Sequence, residues 1–526
     1  MQSLSMDQLV DPAVSAFSNP AAIADTRDDI DAKIEAMFAT VYALRRRRNE
    51  LVGIAKLPPE VLCKIFKAAS SLPWGKTLRR RYNGWIVVSH VCFHWRQVAL
   101  ACPTLWTYVF STPTGLLKAM LARSKSASLT VMGNTLALYD RILALGKVQH
   151  TSVLNFQFHY QWTSFENRTV HAMLAVAAPR LEQFVVRGIT EDESPPTTLS
   201  DDIFAGYTPR LRHLEIFYCN LSWESKLFSG LTTLKVVSSP FRRTSGPRTF
   251  AQLFSALENL PNLRRLHLQN ILPPSESSPY PLSVHLPHLA HLFLEAHVSE
   301  CVYFLEHVTY PTTTVVQVIC EVSIKNVSIR EAEFLSRTGG CFNEPIRHLW
   351  VEGRSIDFDP VVVLKVWPNT EPCDEPPLSV RIRTPNTSLN PIWTLLPLTD
   401  VESLRVSNRG LQQNSWQGMG EQLTQVKKIH VTGGDSIFLP EALAPREHMS
   451  VLGEPSIWVP FPSLEEVTIA SSMYLGFECA KHLPISLMNR RNHGLGIQTL
   501  RVKSCCDRNA EVMDQLRQVV PAVIVE

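Results

Sequence analysis

Apolar positions along this chain follow two periods. From Asp25 to about residue 53, Ile30, Ile34, Met37, Val41, Leu44 and Leu51 recur in steps of four and three, with Arg48 interrupting. That spacing predicts a helix with a narrow apolar seam, suited either to pairing with a second copy or to packing back on its own chain. The second arrangement is the one expected. Residues 1–24 are small and polar with no period, and disorder is expected there. Two shorter helices follow. In LPPEVLCKIF (Leu57–Phe66), Pro58 and Pro59 suit a first helical turn and Glu60 complements the helix dipole, while Val61, Leu62, Ile65 and Phe66 share one side. In VSHVCFHWRQVAL (Val88–Leu100), Val88, Val91, Cys92, Trp95, Val98 and Ala99 form an apolar stripe against His90, His94 and Arg96. CPTLW (Cys102–Trp106) closes the block. Two such helices cannot bury both faces between themselves, so the block reads as a protein-docking module.

Past residue 150 the period changes to a recurring L-x-x-L-x-L triplet. It is met by Val153, Phe156, Phe158; Leu181, Phe184, Val186; Leu211, Leu214, Ile216; Leu231, Leu234, Val236; Leu263, Leu266, Leu268; and Leu289, Leu292, Leu294. It continues with Ile346, Leu349, Val351; Val401, Leu404, Val406; Val426, Ile429, Val431; Leu464, Val467, Ile469; and Ile497, Leu500, Val502. Cys219 with Leu221, and Cys505, extend two copies toward the leucine-rich-repeat consensus. In such a repeat the alternating pair is a short parallel strand with its apolar residues turned inward. The spacing scatters from about 20 to nearly 40 residues, with gaps of about 55 around 294–346 and 351–401, more than a strict repeat allows. The expected fold is therefore α/β: a helical N-terminal module followed by an irregular leucine-rich-repeat-like solenoid with a parallel sheet. Inserted loops are expected at Thr190–Asp202, Leu272–Pro281 and Glu371–Pro377. Prolines standing just before triplets (Pro179, Pro209, Pro261, Pro287) are expected to end the preceding segment. The residue between each inward pair should face the concave surface, giving a strip of Glu215, Lys235, His267, Phe293, Trp350, Arg405, His430 and Arg501. Aromatic and arginine side chains are favoured anchors, so Phe293, Trp350 and Arg405, with His430 and Arg501, are the expected substrate contacts.

The helical block resembles the F-box family, on Leu57-Pro58, Val91-Cys92 with Trp95-Arg96, and Leu105-Trp106. The preceding helix and the following LLKAMLARSKSASLTV (Leu116–Val131) are similar to the flanks of F-boxes in mushroom-forming fungi. The basic stretch Ser71–Trp85 departs from the family, being longer than the usual link. The resemblance divides the chain into 1–24, a helix over 25–53, an F-box over 54–110 and a repeat region over 111–526. It implies a non-catalytic substrate receptor of a SKP-cullin-F-box ubiquitin ligase, monomeric within that complex. Such a subunit docks a Skp-type adaptor, through it the cullin and RING subunits, and a protein substrate. Adaptor contacts are expected among Leu57, Pro58, Val61, Leu62, Ile65, Phe66, Val91, Cys92, Trp95, Leu105 and Trp106, with Leu57 and Pro58 touching the partner and Trp95 mainly in the core. The rival readings are an F-box scaffold that degrades nothing and a repeat protein whose F-box has decayed.

Composition narrows the partners further. The 51 basic and 48 acidic residues leave a net charge of +3, too little to draw the chain to nucleic acid or membrane. The 11 cysteines show no C-x-x-C pair, so neither a disulfide framework nor a zinc ribbon is indicated, and a cytoplasmic or nuclear setting is expected. MQSLSMDQLV lacks a charged region followed by an apolar core, and no uncharged apolar run reaches about 18 residues, so neither secretion nor membrane spanning is expected. Gly75-Lys76-Thr77 ends like a phosphate-binding loop, but Ser70 stands where the first glycine is needed. His285, His288, His291, His297, His90 and His94 lack metal-site spacing. Arg45–Arg48 reads as the polar side of a helix and Arg79–Arg81 as loop. Enzyme signatures such as G-x-S-x-G and H-E-x-x-H are absent, and no cofactor is expected.

Overall fold

A computed structural model of the protein describes residues 20–70, 84–110, 114–133, 142, 145–158, 171–188, 197–239, 249–274, 283–322, 345–356, 359–367, 378–383, 393, 398–407, 413–432, 438–449, 455–470, 479–503 and 510–526. Gly75-Lys76-Thr77, Arg79–Arg81, Cys505 and most of the three proline-rich stretches fall outside these. The chain forms two compact units, Met1–Thr151 and Ser152–Glu526. The expected boundary near residue 110 therefore moves about 40 residues on, because the helix and strand after the N-terminal helical block pack with it.

In the first unit, α1 (Pro20–Glu50) starts five residues before the expected Asp25. Helix α2 (Pro59–Ser70) begins at the second proline with Glu60 in its first turn, and the Pro58 carbonyl accepts from the Val61 and Leu62 amides at 3.0 and 3.1 Å. The single helix expected over Val88–Leu100 is instead a 3-10 segment, Gly84–His90, a break at Val91 and Cys92, and then α3 (Phe93–Ala101). Cys92 is extended (φ −157°, ψ 170°) and its thiol accepts from the Trp95 amide at 3.5 Å, so it caps α3 as a serine would. Pro103–Trp106 forms a further 3-10 turn. Beyond it, β1 (Tyr108–Phe110) pairs in parallel with β2 (Leu129–Gly133) across α4 (Thr114–Arg123).

The second unit is built on one mostly parallel sheet. Its strands are β3 (Thr151–Gln157), β4 (Gln183–Arg187), β5 (His213–Phe217), β6 (Thr233–Val237), β7 (Arg265–Gln269), β8 (His291–His297) and β9 (Val315–Val322). They continue as β10 (His348–Ile356), β11 (Asp359–Trp367), β12 (Leu378–Arg383), β13 (Ser403–Ser407), β14 (Lys428–Thr432), β15 (Glu466–Ala470), β16 (Thr499–Lys503) and β17 (Ala522–Val525). Successive repeats align without offset: Phe184, Leu214, Leu234, Leu266 and Leu292 are register partners, as are Leu349, Leu404, Ile429, Val467 and Leu500. Every apolar residue of the second to eleventh triplets is at most 4% exposed. The turn before each strand has a common form: the Leu181, Leu211, Leu263, Leu289 and Leu464 amides donate to the carbonyl three residues back. Proline occupies the second position of these turns, where its fixed φ fits. Proline thus builds the entry turn as well as ending what precedes it. In the Phe461 turn (φ 47°), wholly buried Arg490, on the helix Cys479–Asn492, donates to the Pro460 and Phe461 carbonyls, the latter at 2.5 Å. Here α5 is Phe250–Glu258, α6 Val298–His307, α7 Gln413–Gln422, α8 Leu439–Leu443, α9 Cys479–Asn492 and α10 Ala510–Val519.

Two expectations need correction. The first triplet is shifted by two residues: Leu154 and Phe156 pair with Phe184 and Val186, and buried Thr151 takes the leading position, while Val153 is half-exposed. The two long gaps also hold sheet strands as well as loops. β9 pairs in parallel with β12, β12 antiparallel with β11, β11 antiparallel with β10, and β10 in parallel with β13. A three-stranded meander is therefore set between β9 and β13 with its last strand first, and β11 runs against the rest.

Candidate protein-docking surfaces

On the first unit, the sequence block separates into core and surface. Leu62, Phe66, Leu105 and Trp106 are at most 3% exposed. They form the core of the module, which leaves none of the four on its surface, where adaptor contacts were expected. Phe66 packs on half-buried Trp95 with ring centroids 5.0 Å apart, and Trp106 meets Trp85 edge-on at 5.2 Å while donating from Nε1 to the Ala99 carbonyl at 2.8 Å. Cys92 is half-buried in its capping role. Cys63 lies against buried Cys102, and desolvation first, then that neighbour, pushes its thiol up to about 12, which leaves it unreactive.

What remains outside is apolar. Pro58 is exposed and Leu57 half-buried at the mouth of α2, and Val61 (38%) and Ile65 (40%) stand one turn apart on its outer side. Val91 (56%) is exposed too, joined by Val87, Phe93 and Ile54, which the sequence reading passed over. Phe93 stands off the apolar stripe, and its exposure follows from its place at the first position of α3. Beside it is a cleft of about 300 Å³ lined by Arg46, Asn49, Glu50, Ala55, Cys92, Phe93, His94 and Gln97. The Arg46 guanidinium lies 3.9 Å from the Phe93 ring centroid, and His94 Nε2 is buried without a hydrogen-bond partner.

On the second unit, the residues between the inward pairs form continuous rows across the sheet. Val185, Glu215, Lys235, His267 and Phe293 are register partners, as are Trp350, Arg405, His430, Thr468 and Arg501. Phe293 stacks on His267 with centroids 3.9 Å apart and planes 5° from parallel. Desolvation first, then Lys235, lowers His267 to about 4, so the stacked imidazole is neutral at pH 7. Trp350 has the Arg405 guanidinium 4.4 Å and the Lys365 ammonium 5.7 Å from its ring, with Trp367 at 4.7 Å. Lys365 belongs to the reversed strand β11, which no triplet marked. His430 is half-buried, and desolvation, with Arg405 and Lys503, lowers its pKa. Arg501 is tied to the sheet: Nε donates to Glu466 at 2.5 Å and Nη1 to Glu526 at 3.3 Å. Phe293, Trp350, Arg405 and His430 are thus brought onto one face, whereas Arg501 spends its donors within the sheet. His297 caps α6, with Glu300 completing a capping box.

No protein-family model matches the chain, and no curated protein matches it. Among the described residues, no helix is long and apolar enough to cross a membrane.

Proposed function

We propose that this protein is the substrate-receptor subunit of a SKP-cullin-F-box ubiquitin ligase. In this reading the N-terminal unit docks a Skp-type adaptor, and the repeat sheet holds a protein substrate. The observation that carries it is the set of exposed apolar residues, Pro58, Val61, Ile65, Val87, Val91 and Phe93, on a small helical unit whose core is already filled by Leu62, Phe66, Trp85 and Trp106. Apolar side chains that a folded module leaves outside are the material of a protein interface. Their positions coincide with the blocks that resemble an F-box. The second unit supplies aromatic and cationic side chains on one sheet face, the types that anchor protein partners. Ubiquitin transfer would then follow from proximity, the receptor raising the effective concentration of a substrate lysine.

The test is capture of a purified Skp-type adaptor by the full chain and by a Leu57→Ala, Pro58→Ala variant, with circular dichroism on both. Each anchor at a hot spot contributes on the order of 2 kcal/mol, about thirtyfold in affinity, so the variant should lose capture while staying folded. No capture by the intact chain overturns the proposal.

A further inference from the structure

Helix α1 carries its apolar seam in the open. Ile30, Ile34, Met37, Val41 and Leu44 are 46, 38, 44, 42 and 60% exposed, contrary to the expectation that they pack back on the chain. Written as heptads, Ile34 and Val41 take the first seam position, with Arg27 and Arg48 extending it, and Ile30, Met37, Leu44 and Leu51 take the second. Arg46, which lies over Phe93, then falls on the side opposite the seam, and Asn49 and Glu50 of the same cleft also lie off it. The helix is held to its own module by its back, and the seam faces away.

The charge along α1 is divided. Between Pro20 and Glu35 stand Asp25, Asp28, Asp29, Asp31 and Glu35 against Arg27 and Lys33, whereas Arg45, Arg46, Arg47 and Arg48 crowd the last turns against Glu50. We propose that α1 pairs antiparallel with α1 of a second copy of this chain, making the full protein a dimer. The seam fixes the register. Ile34 packs on Leu44 of the second copy and Met37 on Val41, each contact made twice. In that register Arg48 falls opposite Ile30, beside Asp29 and Asp31 of the second copy, and Arg27 falls opposite Leu51, beside Glu50. Both arginines that break the seam thereby meet carboxylates. A parallel pair would set Arg27 on Arg27, Arg48 on Arg48 and each basic end on its like, a repulsive arrangement. The occupant is therefore a second copy in one orientation, and this inference stands independently of the ubiquitin-ligase reading.

Sedimentation of the full chain from about 1 to about 100 μM, the range in which modest helix pairs assemble, should show a reversible monomer–dimer equilibrium. A Met37→Glu, Val41→Glu variant puts charge into both central layers and should raise the dissociation constant at least about a hundredfold. Both positions are exposed in the single chain and glutamate is a good helix former, so circular dichroism should be unchanged. A benzophenone amino acid at position 34 should cross-link near residue 44 of the other copy. A monomer throughout, a dimer indifferent to the two glutamates, or cross-linking of position 34 to position 34 overturns the proposal.

Discussion

Gly188 follows β4 at a point where the repeats lie unusually close. A Cβ built there would stand 2.1 Å from the Tyr218 carbonyl oxygen, 2.9 Å from its carbon and 3.0 Å from Cys219 Sγ. Ordinary contact would require the two segments to part by more than about 1 Å. Neither segment has slack. The Gly188 amide donates to the Phe217 carbonyl at 2.7 Å, the Tyr218 amide donates to Val237 at 2.8 Å, and Tyr218 already holds φ 55°. Gly188→Ala should therefore strain two backbone hydrogen bonds of about 1 kcal/mol each and add overpacking of similar size, roughly 3 kcal/mol in all. Spread over the unit Ser152–Glu526, at about 2.1 cal/mol/K per residue, that lowers the melting midpoint by about 4 °C if the unit melts as one. Differential scanning calorimetry of the full chain measures it. Gly53→Ala, where an added Cβ meets nothing within 4 Å, is the control. An unchanged midpoint for Gly188→Ala would refute the close-approach argument.

Three further outcomes are expected. Cys92→Ala removes the α3 cap and should cost the N-terminal unit about 1 kcal/mol, whereas Cys92→Ser keeps an acceptor and should cost less; equal losses in thermal unfolding would count against the capping role. Because His267 titrates lower folded than unfolded, its contribution to stability is full above the unfolded pKa of 6.5 and is lost as pH falls toward 4; His267→Phe should flatten that part of the stability profile, and an NMR titration giving His267 an ordinary pKa would contradict it. Arg490→Met strands the Pro460 carbonyl and leaves the Phe461 carbonyl with the Leu464 amide alone, and should destabilise by about 2 kcal/mol; wild-type resistance to urea would show that the arginine does not hold the turn.

The parts of this fold that a linear reading captured are those in which one face is buried. Alternation then writes itself into the sequence, as in Leu214-Glu215-Ile216 or Leu404-Arg405-Val406. The misses have physical causes. In β11, Val362, Val363, Leu364, Val366 and Trp367 are all at most 4% exposed, so the strand reads as a continuous apolar run with no triplet to find. At β3 two alternating pairs were available, Leu154 with Phe156 and Phe156 with Phe158, and only pairing with β4 distinguishes them. In the N-terminal unit, apolar spacing gave α2 and the later part of the second block as α3, but Leu62 and Ile65 are equally apolar and only packing divides the core member from the surface one. The sheet face on which Arg405 stands was readable from its position; the capture of Arg501 by Glu466 and Glu526 was not, since those partners are 35 and 25 residues away.

The reversed meander between β9 and β13 sets a limit on modularity. A parallel repeat array lengthens or shortens by whole units, because each strand needs only the one laid down before it. After β9 the next strand in the chain, β10, has no place beside it; two slots must be filled by β12 and β11 from further along. Growth from the N-terminus halts there until the meander has formed and docks as a block. Repeats on either side are candidates for deletion or duplication, whereas a cut between residues 322 and 403 leaves two unfinished sheet edges.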